Sequence, residues 1–408
     1  MSTIVYLTPP AHGHVNPALP VMRELVQRGE RLIAYNTEEF RPQLEQTGAV
    51  FRAYPPTEMT SAEISRLLQN GNLASVTELI LRVSERLVPF MLEELARERP
   101  DLVIFDTIAL WGKIAAAQLR LRAAASLGVF VLDERHMNLR DTLMMLRQVL
   151  PKLPGILAAR RRLIARYGAA YPSARPLFPM RDALNIVFTA RELQPDTPII
   201  DETFRFVGPS IDPQTRSQPF PLELLGEGPV GYISLGTVHS AHAQFVRACF
   251  EAFAGYPMRF VLAAGKQTPL DELGPIPANF IVRPFVPQLE ILQRASVFIT
   301  HGGMNSVHEG LYYGVPLVLI PQQFEQLFNA RCVAARGAGL ILDEHLRRRP
   351  IAPGALRQAV AKVTSEPGYR AAAKELQRAL RATGGYRQAA DEIQAYIARG
   401  AGSAVSRA

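Results

Sequence analysis

Short apolar runs alternate with helix-length amphipathic segments along this chain, and this alternation restricts the possible folds more than any other feature. The run "TIVYL" at residues 3–7 precedes a loop rich in Pro, Gly and His, a helical segment closed by Gly29, and a second run at residues 31–35. Asn16 is the predicted N-cap of that helix, with Pro17 in its first turn. The pattern recurs from "PDLVIFDT", which ends at Thr107. Such an order predicts a parallel sheet covered by helices on both faces.

The same alternation starts again in the second half. Five further strand candidates are "VGYISLG", "RFVLAAG", "NFIVRPF", "SVFITHG" and "PLVLIP", and the predicted helices lie near residues 244–253, 289–293, 305–313 and 326–335. The stretch "PSIDPQTRSQPFP" before them has the composition of a linker. A chain of 408 residues also exceeds one ordinary core and suits two domains of roughly 200 residues each.

We therefore predict an α/β protein with two Rossmann-like, doubly wound domains. The first domain covers residues 1–210, a linker covers 211–221, and the second domain covers 222–385. Residues 386–408 form a C-terminal helix, expected to pack back toward the first domain, and a tail. Ligands of such sheets bind beyond the C-terminal ends of the strands, so we expect a binding cleft between the domains.

Composition and charge exclude several classes of protein. The net charge of +8 suggests nucleic acid, but the basic residues are scattered or lie in short helical runs without interleaved aromatic residues. Weak attraction to an anionic membrane surface or to a polyanionic small molecule explains the charge equally well. Cys249 and Cys332 lie in helix-like segments, as expected of thiols in a reducing cytoplasm. No apolar run approaches the ~18 residues that span a bilayer, and the N-terminus lacks the features of a signal peptide.

The segment "THGGMNSVHEG" has the features of an anion-binding turn. It places a histidine and two glycines, His301–Gly303, between a buried strand and a helix. The N–H groups at a helix N-terminus attract anions, and Gly303 lets a ligand approach the backbone. His301, Asn305 and Ser306 add side-chain donors, and Glu309 can accept from a pair of vicinal hydroxyls. A phosphate beside a ribose fits this pattern; the alternative is a plain turn with a capping Asn and a solvated Glu.

Residues 283–330 add many fixed positions at recognisable spacing. The stretch "RPFVPQLEILQRASVFITHGGMNSVHEGLYYGVPLVLIPQQFEQLFNA" resembles the donor-binding signature of the family-1 nucleotide-sugar glycosyltransferases, and the bacterial macrolide and natural-product branch is the most similar. "AHGHVNP" near the N-terminus and "YISLGT" also fit, so the resemblance extends over the whole chain. It implies the GT-B architecture, in which two Rossmann-like domains face each other across a cleft.

The resemblance implies a set of donor-binding residues in the second domain. They are Ser234, Thr237, Phe285, Val286, Gln288, His301, Gly303, Asn305, Ser306, Glu309, Glu325 and Gln326. Phe285 stands where the family usually has a tryptophan that stacks on uracil, so base stacking should weaken. Val286 and Gln288 would contact the base. Glu325, in place of the commoner aspartate, would bind the sugar together with Gln326.

The remaining donor contacts follow from the same resemblance. His301, Asn305 and Ser306 would hold the diphosphate, and Ser234 and Thr237 would contact the phosphates from the other side. Glu309 would bind the ribose hydroxyls.

The resemblance also implies the catalytic base. His14 in "GHVNP" matches the histidine that deprotonates the acceptor, and Asp106, at the end of "LVIFD", matches the aspartate that holds it. An imidazole with an ordinary pKa of about 6.5 can take a proton near neutral pH, and a carboxylate on its other nitrogen fixes the tautomer. His12, two residues away, is the competing candidate.

The acceptor site is less defined by the sequence. Met137, Met144 and Met145 lie at helical spacing in a leucine-rich segment, where either plain core packing or a soft wall around a bulky apolar acceptor is expected. Trp111 and Phe90 share these two interpretations.

Metal and redox cofactors are not expected. The histidine pairs His12/His14, His239/His242 and His301/His308 lack the Cys or acidic partners of a metal site. No Asp-x-Asp occurs to hold a metal on a diphosphate, and the segment "GERLIAY" lacks a Gly-x-Gly-x-x-Gly context, so a nicotinamide site is not expected.

Together these observations predict a cytoplasmic, inverting, metal-independent hexosyltransferase that needs no cofactor. It would move a sugar, by expectation glucose from UDP-glucose, to a hydroxyl of a macrolide, flavonoid or other polyphenol. A UDP-sugar epimerase of the same architecture and a catalytically silent relative acting as a binding or auxiliary protein are the alternatives. The chain is expected to be a monomer or a homodimer.

Overall fold

The chain forms two compact units. The computed structural model describes residues 1–405 except 70–72, 174–176, 216–218, 237–242, 266–267, 269, 271–272, 345 and 347–348. Unit 1 comprises Met1–Ile211 together with Thr383–Ala408, and unit 2 comprises Asp212–Ala382. The proline-rich segment that the sequence predicts as a linker thus begins unit 2, and the C-terminal residues from Thr383 on belong to unit 1.

Unit 1 is built on a seven-stranded sheet in which every pairing is parallel. Its strands are β1 (Thr3–Leu7), β2 (Arg31–Asn36), β3 (Val50–Ala53), β4 (Leu102–Asp106), β5 (Ala123–Leu127), β6 (Asn185–Val187) and β7 (Phe204–Phe206). Their order is β3-β2-β1-β4-β5-β6-β7. Because the chain crosses over at β1, the carboxyl ends of β1 and β4 lie side by side, with Leu7 paired to Phe105.

Helices cover this sheet. They are α1 (His12–Gln27), α2 (Arg41–Glu45), α3 (Ser61–Gln69), α4 (Leu73–Glu98), α5 (Leu110–Gln118), α6 (Leu139–Val149) and α7 (Leu153–Tyr167). Separate apolar clusters on the two faces of the sheet bury alternate residues of β1, Val5 and Leu7 in one and Ile4 and Tyr6 in the other. This is the two-sided burial that a parallel sheet requires.

The first helix begins earlier than predicted. Its N-cap is Ala11, not Asn16, and the Ala11 carbonyl accepts from the N–H groups of His14 and Val15 at 2.9 and 3.0 Å. Pro17 lies inside the helix, where its missing N–H leaves one carbonyl without a helical donor. Burial of the apolar face, which includes Val15 and Leu19, outweighs that loss. His14 therefore lies in the first turn of α1 rather than in a loop.

Unit 2 repeats the design with a six-stranded parallel sheet. Its strands are β8 (Val230–Ser234), β9 (Arg259–Ala263), β10 (Phe280–Arg283), β11 (Ala295–Thr300), β12 (Leu317–Leu319) and β13 (Gly339–Ile341), in the order β10-β9-β8-β11-β12-β13. Its helices are α8 (Ala243–Phe253), α9 (Gln288–Leu292), α10 (Met304–Tyr312), α11 (Phe324–Ala335), α12 (Pro353–Ser365) and α13 (Pro367–Ala382). The prediction of two doubly wound α/β domains is confirmed.

The last helix, α14 (Tyr386–Val405), belongs to unit 1 and packs on α1. Both cysteines lie within helices of unit 2, as predicted. Burial raises the pKa of the Cys249 thiol above its ordinary value and that of Cys332 to about 12. Among the described residues, no helix is both long enough and apolar enough to cross a bilayer.

Candidate active site

The carboxyl ends of the unit 1 strands bring His14 and Asp106 together. Asp106 is the last residue of β4, and His14 is the third residue of the helix that follows the neighbouring strand β1. His14 Nδ1 lies 2.9 Å from Asp106 Oδ2, and the two side chains are 23% and 3% exposed. A nearly buried carboxylate therefore holds an imidazole whose ring still reaches solvent.

Asp106 is itself fixed by its neighbours. Its Oδ1 accepts from the backbone N–H of Ile108 at 3.0 Å, so its two oxygens have separate partners. With Nδ1 on the carboxylate, proton exchange with a ligand falls to His14 Nε2. His12, the competing candidate, packs edge-on against Phe40, with ring centroids 4.9 Å apart.

The residues suggested for the acceptor site differ in burial: the two aromatic residues belong to the core or its margin, and the methionines are half-buried or exposed. Trp111 is fully buried in the core of unit 1, and Phe90 packs edge-on against Tyr35 at its margin. Met144 is half-buried on α6 and Met145 is exposed.

Met137 is half-buried and precedes the N-cap of α6 at Asn138. The three methionines therefore do not share one helix, because the helix starts two residues after the first of them. Plain core packing is excluded for Met145 and holds for Trp111.

Two buried polar atoms near these strand ends were not anticipated from the sequence. Tyr54 follows β3 and Trp111 lies in the first turn of α5, and their rings meet edge-on with centroids 5.6 Å apart. Tyr54 Oη and Trp111 Nε1 make no hydrogen bond of good geometry among the described residues, although Trp111 and the Thr8 backbone are polar neighbours of the Tyr54 hydroxyl. A buried polar group without a partner costs about 1–3 kcal/mol, which a bound water or ligand group would offset.

In unit 2, glycines hold the His301 ring against the backbone. The ring lies over Gly303, the N-cap of α10, and a Cβ atom added there would overlap with His301 Nε2. A Cβ on Gly236 would lie 2.6 Å from Cε1 of the same ring. The imidazole is thus clamped beside the first turn of α10, where Asn305 and Ser306 are the second and third residues.

Glu309 belongs to a buried hydrogen-bond network. It is 3% exposed, which excludes the alternative of a solvated glutamate. Gln288 Nε2 donates to Glu309 Oε2 at 2.5 Å, and Gln288 Oε1 accepts from Tyr232 Oη at 3.1 Å. Burial raises the pKa of Tyr232 well above its ordinary value, so it stays a neutral donor. The sequence analysis missed Tyr232, because its role depends on the hydrogen bond with Gln288, 56 residues further along the chain.

The other predicted donor residues have varied surroundings. Phe285 is 44% exposed and Val286 is half-buried, both before α9. Ser234 ends β8, and its Oγ accepts from the Gly236 N–H at 3.3 Å. Thr237 lies outside the described residues.

Glu325 and Gln326 are held within unit 2. Glu325 Oε1 accepts from Asn329 Nδ2 at 3.2 Å, and Asn329 also donates to the carbonyl of Gly302 at 3.0 Å. Gln326 Oε1 accepts from the Gln322 N–H at 2.8 Å. Asn329, missed by the sequence analysis, therefore ties the helix α11 to the turn at His301.

The pairs His12/His14 and His301/His308 do not gather further ligands among the described residues. Within the part of the chain that the structure describes, no group of three or more His, Cys, Asp or Glu side chains is placed to bind a metal ion. His239 and His242 lie outside the described residues.

Comparison with known proteins finds relatives that match nearly the whole chain. A family model described as "Erythromycin biosynthesis protein CIII-like, C-terminal domain" matches residues 259–393. The uncharacterised UDP-glucosyltransferase YojK of Bacillus subtilis is 32% identical over 397 residues, covering 94% of this chain and 95% of that protein. The NDP-glycosyltransferase YjiC of Bacillus licheniformis is 33% identical, covering 95% and 96% of the two chains.

Solved structures show the same relationship. The glycosyltransferase of kitacinnamycin is similar over 97% of this chain and 99% of its own, with a TM-score of 0.81 and 30% identity. CalG4, the calicheamicin glycosyltransferase, is similar over 98% and 99%, with a TM-score of 0.79 and 29% identity. The chain belongs to the family-1 natural-product glycosyltransferases and has their GT-B architecture.

Proposed function

We propose that this glycosyltransferase moves glucose from UDP-glucose to a hydroxyl of a bulky apolar acceptor, with inversion and without a metal ion. The observation that carries the proposal is the contact of His14 Nδ1 with the buried carboxylate of Asp106 at 2.9 Å. The full-length similarity to a protein named as a UDP-glucosyltransferase supports the choice of donor. It also disfavours the alternative of an epimerase, since the relatives are named as transferases.

In the proposed reaction His14 acts as general base. Its Nε2 takes the proton of the acceptor hydroxyl while that oxygen attacks the anomeric carbon of the donor. The bond from the anomeric carbon to the diphosphate breaks as the new glycosidic bond forms, so one in-line displacement inverts the configuration. Asp106 accepts a hydrogen bond from the Nδ1–H of the resulting imidazolium and stabilises its charge without taking the proton.

The leaving diphosphate gains negative charge, and unit 2 offers groups that would stabilise it. These are the N-terminal N–H groups of α10 and the clamped ring of His301. Because these donors would do the work of a metal, turnover should persist in EDTA. Activity that EDTA abolishes and magnesium restores would contradict this part of the proposal.

The nucleotide preference is assigned to Glu309. A ribose presents two hydroxyls to the carboxylate, whereas a deoxyribose presents one, and a lost hydrogen bond to a charged group costs about 1.5–3 kcal/mol. Gln288 already engages Oε2, so the other oxygen would carry the discrimination. UDP should bind about ten- to a hundredfold more tightly than dUDP or dTDP, and Glu309→Ala should remove most of the difference. Calorimetric titration measures this; equal affinity of the wild type for UDP and dUDP would contradict it.

The acceptor is proposed to be a flat or macrocyclic apolar molecule with a free hydroxyl, accepted with low selectivity. The leucine- and methionine-rich composition of unit 1 supports this class, as does the similarity to the glycosyltransferases of kitacinnamycin and calicheamicin. Tyr54 and Trp111 offer buried polar atoms that could take one of its polar groups.

The test is incubation of the full chain with UDP-glucose and a panel of macrolides, flavonoids and other polyphenols, followed by mass detection. The proposal predicts products that are each heavier than the acceptor by one hexosyl residue and that form only when an acceptor is present. Conversion of the UDP-sugar with no acceptor present would favour the epimerase. Reaction of hydrophilic sugars alone would overturn the acceptor class.

A further inference from the structure

The helices α6 and α7 carry an apolar surface that the described part of the chain leaves uncovered. Of the 14 large apolar side chains exposed among the described residues, eight lie between residues 139 and 164, so this surface is concentrated in one segment. They are Leu139, Leu143, Met145, Leu146, Leu150, Leu153, Leu157 and Ile164, with exposed fractions between 36% and 77%. We call the leucine and isoleucine members of this set the apolar stripe.

The stripe follows one side of a nearly continuous helical path. Its leucines recur at alternating steps of four and three residues, which on an α-helix places them within an arc of about 80°. The joint between α6 and α7 keeps the helical course, because Leu150 and Lys152 both have right-handed helical backbones. Leu150 N–H still donates to the Leu146 carbonyl at 2.9 Å.

The core of unit 1 does not use this surface. The buried residue of α6 is Asp141, which forms a capping box with Asn138, and no apolar residue of that helix is buried. The helix α7 is anchored by its other side, where Ala159, Leu163 and Tyr167 join the apolar core. An amphipathic helix whose apolar side faces water is a marker of a binding surface.

The charge of the segment indicates the chemistry of its partner. Residues 139–167 contain seven basic side chains and one acidic side chain, Asp141, a net charge of +6; Lys152 and Arg162 form ion pairs with Glu78 and Glu85 of α4, which leaves a local net charge of +4. Arg140 and Arg147 each follow a leucine of the stripe and lie along one edge of it, and they form no ion pair with any described residue. An apolar stripe flanked by arginines is typical of helices that lie in the surface of a bilayer with anionic lipids.

Other occupants fit less well. A second copy of this chain would bring two strongly basic surfaces together, which costs free energy. A single small acceptor would not cover the stripe, because the path from Leu139 to Leu157 is about 27 Å long at 1.5 Å per residue. We propose that α6 and α7 dock the protein on an anionic lipid surface, with the apolar stripe inserted and the arginines at the headgroups.

Vesicle sedimentation with the full chain tests this. Vesicles of phosphatidylcholine alone are compared with vesicles that contain phosphatidylglycerol. We expect clear binding to the anionic vesicles and at least tenfold weaker binding to the neutral ones. In the double variant Leu143→Gln/Leu146→Gln, affinity should fall at least tenfold; both side chains are half-exposed, so the fold should be unchanged. The matched control is Leu224→Gln/Ile276→Gln, which removes two comparably exposed side chains from unit 2 and should bind within twofold of wild type.

A second variant separates the charge from the stripe. Arg140→Gln/Arg147→Gln should weaken binding to anionic vesicles about tenfold or more, since each arginine near such a surface contributes about fivefold, and should leave binding to neutral vesicles unchanged. Wild type that binds neither vesicle, or a leucine variant that binds like wild type, would overturn the proposal. A lipid-free homodimer that the leucine variant dissociates would also overturn it, in favour of a second copy. These measurements need no turnover, so they are independent of the proposed reaction.

Discussion

Replacing Asp106 by Asn tests how the carboxylate serves His14. The two shortest contacts of the Asp106 carboxylate are with donors: the Nδ1–H of His14 faces Oδ2 at 2.9 Å and the Ile108 N–H faces Oδ1 at 3.0 Å, while the Thr107 hydroxyl makes a longer contact with Oδ1 at 3.4 Å. An Asn side chain offers one oxygen and one NH₂ group, so it cannot accept from both. If the NH₂ faces His14, Nδ1 must accept, and the proton then resides on Nε2, where the base is needed.

The size of the effect follows from this conflict. Turning the amide so that its oxygen faces His14 restores the useful tautomer but sets the NH₂ against the Ile108 N–H. An unpaired buried donor costs about 1–3 kcal/mol, so the useful arrangement becomes a minor population. At 1.36 kcal/mol per tenfold in rate, Asp106→Asn should lower kcat roughly 5- to 150-fold.

The assay is steady-state kcat at saturating UDP-glucose and acceptor, with urea unfolding measured in parallel. Asp101→Asn is the control, because Asp101 immediately precedes β4, at the end of the strand opposite to Asp106, and accepts from the Thr3 N–H at 2.7 Å. That variant should keep its kcat. A kcat for Asp106→Asn within twofold of wild type, with normal folding, would refute the reasoning.

Two further predictions concern unit 2. Gly303→Ala should keep the fold, because Gly303 has φ −62°, which alanine adopts without strain. The added Cβ should displace the His301 ring and weaken UDP binding, measured by calorimetry, about tenfold or more. Gly228→Ala is the control, because its Cβ would meet open space. Burial lowers the pKa of His308 from 6.5 to about 4, so between these two pH values His308 is neutral in the folded chain. In the unfolded chain the same side chain takes up a proton as the pH falls below 6.5. The stability that it contributes above pH 6.5 should be lost as the pH falls toward 4, about 3 kcal/mol in all. Urea unfolding between pH 7 and pH 4.5 should show a flatter profile for His308→Gln; an identical slope would contradict this.

The regular part of the fold could be predicted because long buried strands such as β4 and β11 are continuous apolar runs. The strands β3, β6, β7 and β13 were not predicted, since runs of three or four residues carry little pattern of their own. The start of α1 was wrong because Asn16 and Pro17 form a strong local cap signal. Burial of the apolar face of α1 against the sheet favours a helix that begins at His12 instead.

The site was predictable only in part, for a related reason. His14 and Asp106 are 92 residues apart, and no spacing rule joins them; they meet because β1 and β4 are neighbours in the sheet. The resemblance to a family supplied that pair. Tyr232 and Asn329 were missed because their hydrogen bonds to Gln288 and Gly302 depend on the folded arrangement.

The most direct test of the account compares His14→Ala with His12→Ala. His14 is held by Asp106, whereas His12 packs on Phe40, so the two variants remove neighbouring imidazoles with different surroundings. Measured as kcat for glucosyl transfer, His14→Ala should lose about 10²–10⁴-fold, with UDP affinity by calorimetry nearly unchanged, and His12→Ala should stay close to wild type. Loss of activity in His12→Ala with a nearly normal His14→Ala would contradict the assignment of the base.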